Sequence, residues 1–429
     1  MVESRETHYT HWARVRLHVD ASYITQLHRI YQAPPHHQAS PRPGEYVRIG
    51  LNLLYLIPQQ VGGTQTYAEH LVEALAEEGP QHEYRLFVNS EGASLPWPRT
   101  PNFRTVVSRF PPRLRTARYA HEQLVLPRRL LTERIDVVHS LGYVSPLRPP
   151  CASVVSIHDA LHVGYPMSAA RRALLGFFVT RSARRCDRVI TVSEFSKREI
   201  VRHLGIPEEK VTVTYEGPRD LPLESGVAWK DLQRRYGITK PFIVACGGVH
   251  AHKNMARLVV AFDALAGEIP HSLVLIGRLP ADGHVQAEIQ KRNLGGRVVL
   301  TGYVPDEHMM PLLKNGDVFV FPSWYEGFGL PLLDAQRAGL PVACSTAASV
   351  PEVAGKGAEY FDPLSINEIA RAIRRCAVEK PLRAQLIADG FDNVGRFSWA
   401  EAARRTLAVY EEVAATRAGA SSRQPGPRS

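Results

Sequence analysis

The sequence predicts an α/β protein of two domains, each a parallel sheet with helices on both faces, and three observations predict it. Short apolar runs of strand length alternate with helical or loop stretches from residue 47 almost to the end, which is the rhythm of a parallel sheet. The rhythm pauses around the prolines and glycines of 217–227 and then begins again. A length of 429 residues exceeds one ordinary core and gives each of two domains enough chain to bury its own.

Taken in order, Met1 to Glu45 is rich in His, Pro and Arg, with little periodicity beyond a short helical pattern near Ala21 to Tyr31. Residues 1–45 are expected to be an N-terminal extension, partly disordered, with a linker over 33–44. The first domain is expected over 46–222. In it Val47 to Ile57 reads as a strand, PQQVGGTQ as a loop and Thr66 to Glu78 as an amphipathic helix. Further strands are expected at Tyr84 to Val88, Phe103 to Val107, Val137 to His139, Ser153 to His158 and Arg188 to Val192. Between them a basic segment carries Arg99, Arg104, Arg109, Arg113, Arg115, Arg118, Arg128, Arg129 and Arg134 against Glu122 and Glu133. It reads either as a solvated helix face or as an interfacial patch for anionic lipid.

The second domain is expected over 223–396. Its strands are Pro241 to Cys246, Ser272 to Gly277, Val298 to Val304 and Asp317 to Pro322, with GGVHAHKN as a loop and Met255 to Leu265 as a helix. Ser398 and Glu401 stand at capping-box spacing and open a terminal helix over 397–418. Residues 419–429 are expected to form a disordered tail.

Hydrophobic content of 44% and charged content of 22% are ordinary for a globular protein. A net charge of +10 suits an anionic partner, whether nucleic acid, an anionic bilayer or a phosphorylated substrate. No recognised nucleic-acid module is present, so nucleic acid is not expected as a partner. The five cysteines show neither C-x-x-C pairs nor metal spacing and fit reduced, buried thiols. No apolar run approaches the roughly 18 residues that span a bilayer, and no signal-peptide core opens the chain. A cytoplasmic location is expected, with the inner face of the membrane as the place where a basic patch would act.

The richest stretch is DVFVFPSWYEGFGLPLLDAQRAGLP, Asp317 to Pro341. A buried strand leads into a loop with two glycines, and Pro331 suits the first turn of the helix that follows, since its missing N–H would be unpaired there anyway. The N–H groups of Gly327, Phe328, Gly329 and Leu330 then lie at the positive end of a helix, where the two glycines let a ligand approach the backbone. Glu326 and Asp334 place one acceptor at each end of that corner. A solvated loop carboxylate and a carboxylate that merely complements the helix dipole would give the same pattern.

This run resembles the E-x7-E signature of retaining glycosyltransferases of family 4, with the GT-B fold: Pro322, Glu326, Gly327, Phe328, Gly329, Leu330, Pro331, Gly339 and Pro341 fall where that family has them, and Asp334 replaces a glutamate. Other segments resemble the family in its order, across about Ile49 to Val413. The resemblance implies a GT-B architecture, two Rossmann-like domains with parallel sheets facing a central cleft, the donor held mostly by the second. It implies that Gly62 and Gly63 lie under the donor phosphates and beside the acceptor. Apart from the resemblance, His139 ends a predicted strand in DVVHSLGY and is a candidate for the acceptor side, with Thr64 and Tyr143. His158, in SIHDALH, would lie close to the donor sugar. Lys253 would meet the diphosphate, beside Gly248 and His252, where relatives carry arginines. Tyr303 and Val304 would pack the base, Glu326 would hold a sugar hydroxyl, and Asp334 the ribose. The family usually has Asn where Glu216 stands.

The function so implied is transfer of a hexose, mannose-like or glucose-like, from a nucleoside-diphosphate sugar to a hydroxyl of a glycan or lipid-linked glycan, with retention. His158, Lys253 and Glu326 are the expected catalytic set. No D-x-D motif is visible, and neither metal nor resident cofactor is expected. Two other readings stand beside it: a GT-B sugar-nucleotide epimerase or hydrolase, and a non-enzymatic protein that binds anionic surfaces.

Overall fold

The structure, a computed structural model, describes residues 46–58, 62–160, 169–224, 226–248, 250–279 and 283–421. The expectations for residues 1–45 and for 422–429 of the tail lie outside these, as do 59–61 and Val249 of the two glycine loops.

Among the described residues one sheet has seven strands, β1 (Arg48–Asn52), β2 (Glu83–Asn89), β3 (Phe103–Ser108), β4 (Val137–Ser140), β5 (Ala152–Ser156), β6 (Arg188–Thr191) and β7 (Val211–Val213). A second has six, β8 (Phe242–Cys246), β9 (Ser272–Ile276), β10 (Val298–Gly302), β11 (Val318–Phe321), β12 (Val342–Ser345) and β13 (Ala358–Phe361). Their orders are β3-β2-β1-β4-β5-β6-β7 and β10-β9-β8-β11-β12-β13, and every pairing between strands is parallel. Central strands such as β8, FIVAC, and β11, VFVF, are buried at every residue because helices cover both faces, hence their unbroken apolar composition.

Each order reverses direction once, at β1 and β4 and again at β8 and β11. Such a switch opens a crevice beyond the carboxyl ends of the strands. The loops that leave those ends carry the expected site residues: 62–64 after β1, His158 after β5, 248–253 after β8 and 326–329 after β11.

The helices that bear on the crevice are α1 (Gly63–Glu78), α2 (Glu194–Leu204), α3 (Met255–Asp263), α4 (Leu330–Arg337), α5 (Val350–Ala354) and α6 (Trp399–Ser421). α1 starts three residues before the expected Thr66, since the Gly62 carbonyl already accepts from Gln65 and Thr66 N–H. β1 stops at Asn52 instead of Ile57. Leu53 to Leu56 are buried in a turn, and an apolar run does not distinguish a buried turn from a strand.

α6 is capped as its sequence expects, with Ser398 Oγ accepting from Glu401 N–H at 3.0 Å. It returns to the first sheet and lies on α1. Tyr410 OH meets His139 Nδ1 at 2.6 Å, and Arg417 donates to the Cys151 carbonyl at 2.6 Å. The five cysteines are buried free thiols, and no helix among the described residues is long and apolar enough to cross a membrane.

The basic segment divides on folding. Arg118 turns inward, 3.9 Å from the buried Glu122 and over the Tyr119 ring at 4.8 Å, and burial raises the Glu122 carboxyl to about 7. Arg113 pairs with Glu91. Leu124, Arg128 and Leu131, at helical spacing, stay exposed.

Candidate active site

The second sheet supplies a charged corner. After β8 a short turn, Ala251–Lys253, ends at Asn254, which adopts φ 61° and caps α3. Asn254 Nδ2 donates to the carbonyls of Pro322 (3.0 Å) and Pro363 (2.7 Å), which ties the turn to the end of β11. Lys253 Nζ is thereby brought to 2.7 Å from Glu326 Oε1, so the two expected site residues form an ion pair, both mostly shielded from solvent. Gly248 leaves room beside the lysine stem: a Cβ there would make ordinary contact with Lys253 Cγ at 3.5 Å. His252, in the arginine position of the resemblance, is buried and pushed down to about 4, so it adds no cation at neutral pH.

The backbone of 327–330 is aimed by its neighbours. Phe328 and Leu330 are buried, with Phe328 packed on Phe397 at 5.6 Å between ring centres. Gly329 takes φ +115° and caps α4, a conformation a side chain would strain. Gly327 is needed for a different reason: a Cβ there would lie 2.5 Å from the His158 carbonyl oxygen, so the two halves touch at this point. Ser193 Oγ donates to the Gly327 carbonyl at 2.6 Å, and Ser196 Oγ reaches the His158 carbonyl at 2.8 Å. Glu352 on α5 accepts from the N–H groups of Glu194 and Phe195 at 2.7 and 3.0 Å, a carboxylate on the positive end of α2.

Asp334 is enclosed. Its Oδ1 accepts from Arg219 N–H at 3.2 Å and its Oδ2 from Arg219 Nε at 2.7 Å, leaving the side chain 1% exposed. Arg219 also reaches Asp306 at 3.1 Å, and Arg337 donates to its carbonyl at 2.7 Å. The shorter acid is thus met by a cation from the strap between the sheets. Tyr303 is exposed and Val304 buried, as residues at the lip and the wall of a cleft would be.

On the first sheet, Gly62 and Gly63 are exposed with open space where a Cβ would stand, so the start of α1 is accessible. The Thr64 carbonyl accepts from Tyr55 OH at 3.0 Å. Tyr143, at φ 65°, donates to Asp159 Oδ2 at 3.1 Å. His158 is buried beside Tyr67 and Tyr143, with Nε2 3.2 Å from the Leu141 carbonyl oxygen, and burial lowers it to about 4. His139, expected on the acceptor side, has no exposed atom: Nδ1 meets Tyr410 OH and Nε2 meets Ser156 Oγ at 2.8 Å, and burial lowers it to about 3. In this conformation it joins α6 to the first sheet and offers nothing to an acceptor.

The structure therefore brings Lys253, Glu326, 327–330 and His158 together and holds His139 behind them, buried between Ser156 and Tyr410. Arg219, Ser193, Ser196 and Glu352 escaped the sequence reading. The serines carried one readable signal, the S-x-x-S start of a capped helix, which Ser193 Oγ confirms by accepting from Ser196 N–H at 3.0 Å.

Two family models match the chain: Glycosyltransferase Family 4 over residues 61–218 and Glycosyl transferases group 1 over residues 231–392. The chain is 30% identical over 228 residues to O-antigen chain mannosyltransferase B of Escherichia coli, a match that takes in 52% of this chain and 60% of that one. Among solved structures it resembles sucrose-phosphate synthase of Thermosynechococcus elongatus, with a TM-score of 0.68 at 20% identity over 86% of this chain and all of that one. It also resembles Anabaena HepE in complex with UDP-glucose, with a TM-score of 0.64 at 17% identity over 87% of this chain and all of that one. These two likenesses concern the fold, and the fold is GT-B.

Proposed function

The chain belongs to the group 1 glycosyltransferases of family 4, and from that premise we propose that it moves a hexose from a nucleoside-diphosphate sugar to a hydroxyl of a glycan or lipid-linked glycan, with retention at the anomeric carbon. The observation that carries this reading is the Lys253–Glu326 pair at the glycine corner before α4. A diphosphate entering there exchanges one partner of Lys253 for another and releases Glu326 to accept from a sugar hydroxyl. The ammonium and the N–H groups of the corner then face charge that grows as the bond from the anomeric carbon to phosphate breaks. Fixed donors of that kind stabilise a departing anion most. The acceptor oxygen bonds to that carbon, and its proton leaves with the diphosphate, whose own oxygens can take it. His158 borders the sugar from the first sheet, and Tyr303 offers a ring to the base. Arg219 holds Asp334 at the ribose end.

The E. coli relative is a mannosyltransferase and the HepE structure holds UDP-glucose, so mannose-like and glucose-like donors are the ones to try. A thermal-shift panel of UDP, GDP, TDP and ADP, followed by anomer-resolved NMR of the product made from the best donor, tests the reading. A nucleotide that raises Tm and a retained anomer support it; no shift from any nucleotide would sink it. The exposed strip of Leu124, Arg128 and Leu131 supports a peripheral contact of the first domain with an anionic membrane, where a lipid-linked acceptor would be found.

A further inference from the structure

Glu216 stands on the strap that leaves β7 for the second sheet, and it is 5% exposed. A buried carboxyl needs an explanation, because the charged form is costly there without a cation. The titratable groups that face it are His158, whose Nδ1 lies 3.9 Å from Oε1, and Tyr67 on α1. Tyr67 is already engaged, its hydroxyl 3.0 Å from Ser156 Oγ. On the α6 side, Trp399 crowds the neighbouring Gly217, where a Cβ would lie 2.6 Å from its backbone nitrogen, so the strap cannot back away.

The location of the protons follows from the partners. The Leu141 carbonyl can only accept, so His158 Nε2 carries a hydrogen, and in the neutral ring Nδ1 keeps a lone pair. That lone pair faces the carboxyl. A carboxylate would repel it in this dry place, whereas a carboxylic acid would donate to it. Burial acts in the matching direction on both groups: it raises Glu216 to about 8 and lowers His158 to about 4.

We propose that Glu216 is a positioning residue for His158: its carboxylic O–H donates to Nδ1 and, with the Leu141 carbonyl on the opposite nitrogen, fixes the imidazole in one tautomer and one plane at the sugar end of the cleft. The 3.9 Å span is longer than a formed hydrogen bond, so the proposal requires the Glu216 side chain to turn toward Nδ1. His158 is worth fixing because its own carbonyl lies against Gly327 in the donor corner, so the backbone that carries the ring abuts the corner. An asparagine at this place, as in the family pattern, would offer an amide N–H to the same nitrogen at every pH. The glutamic acid offers its hydrogen only while protonated, which gives this chain an alkaline limit near pH 8.

The inference rests on the role proposed for His158 beside the donor sugar, and its test is read without substrate, so either can fail alone. In full-length protein labelled with 15N-histidine, with His158 assigned by its loss in His158→Gln, the ring nitrogens are followed from pH 6 to 10. In wild type they should report the Nε2–H form throughout and shift with a midpoint near 8, as Nδ1 loses its donor. Glu216→Gln should keep the tautomer and abolish the shift; Glu216→Asn should do the same if the shorter side chain still reaches. A His158 signal that is indifferent to pH in wild type, or one that titrates identically in Glu216→Gln, overturns the proposal. Once a donor is known, the alkaline limb of kcat should vanish in Glu216→Gln with KM little changed. A purely structural role would leave the shape of that limb alone.

Discussion

The two walls of the cleft solve different problems with polar groups. On the side of the second sheet each cation meets acids: Lys253 meets Glu326, and Arg219 of the strap meets Asp334 and Asp306. On the first sheet, apart from Asp159, which Tyr143 meets, the polar groups are neutral and run in a line, from Tyr410 through His139 and Ser156 to Tyr67, with His158 and Glu216 alongside. Burial lowers both histidines and raises the glutamate, so each settles in its uncharged form. A wall that must receive a diphosphate keeps charges that can change partners. A wall that borders a neutral sugar gains more from fixed hydrogen bonds, and an unpaired charge there would be costly.

The largest expected effect breaks the charged wall at its deepest point. Arg219→Ala leaves the Asp334 carboxylate buried without its cation, and breaking such a pair costs about 3–5 kcal/mol. Thermal or urea unfolding checks this. Arg219 and Asp334 together should show strong coupling in a double-mutant cycle, and additive losses would mean that the pair is incidental. Asp334→Glu, although it restores the residue usual in the family, adds a methylene to an enclosed site and should lower Tm as well.

Next comes Lys253→Ala, which should lower kcat about 10²–10³-fold, the scale of removing one preorganised donor from a departing anion. Its effect on Tm should be smaller than that of Arg219→Ala, since the Glu326 left behind retains some contact with water. Activity that falls only as far as the folded fraction would make the lysine structural and leave the two walls alike.

The neutral wall is probed by pH. The folded protein holds the Glu216 proton up to about 8, whereas the group ordinarily releases it near 4.5. The stability attached to that proton is therefore whole below about 4.5, declines as pH rises and is gone above about 8. Glu216→Gln escapes the decline. Its Tm relative to wild type should rise between pH 5 and 8, by about 2–4 °C for each kcal/mol relieved, and a pH-independent difference would mean that Glu216 is already ionised.

How much of this was legible follows the same division. The strands and the glycine corner could be read because fully buried parallel strands are continuous apolar runs and because Gly329 and Pro331 mark a helix start by their backbone limits. Glu326 stood out from the local pattern of the corner and Lys253 from the family resemblance, and the structure adds that they meet. Arg219 could not be read: its partner lies 115 residues further on, and only the folded strap brings them together. His139 misled because the end of a parallel strand ordinarily faces the crevice, whereas here α6 returns from the far end of the chain and covers it. The helix Ile366–Val378 went unread although its pattern was open to view, with Ile369, Ala370, Ala372, Ile373 and Cys376 buried along one side.

The smallest expected effect lies outside the cleft and asks whether the first wall has a second neutral-to-anionic boundary at the membrane. Arg118 and Arg113 drop out of such a patch, since one is tucked against Glu122 and the other pairs with Glu91. Leu124 and Leu131, 64% and 63% exposed, flank Arg128 at i, i+4 and i+7, so one helix side presents two apolar side chains around a cation. Reversing Arg128 and Arg129 to Glu should weaken binding to anionic vesicles by about 1 kcal/mol per residue, and salt should weaken the wild type in the same way. Leu124→Ser with Leu131→Ser should weaken binding at every salt concentration, because burial of apolar surface is not screened. Nucleotide affinity should stay unchanged in all of these, since the donor corner is built on the other sheet. Flotation on a gradient decides it: wild-type protein that stays at the bottom with anionic liposomes at low salt removes the membrane contact and turns the search for the acceptor to soluble glycans.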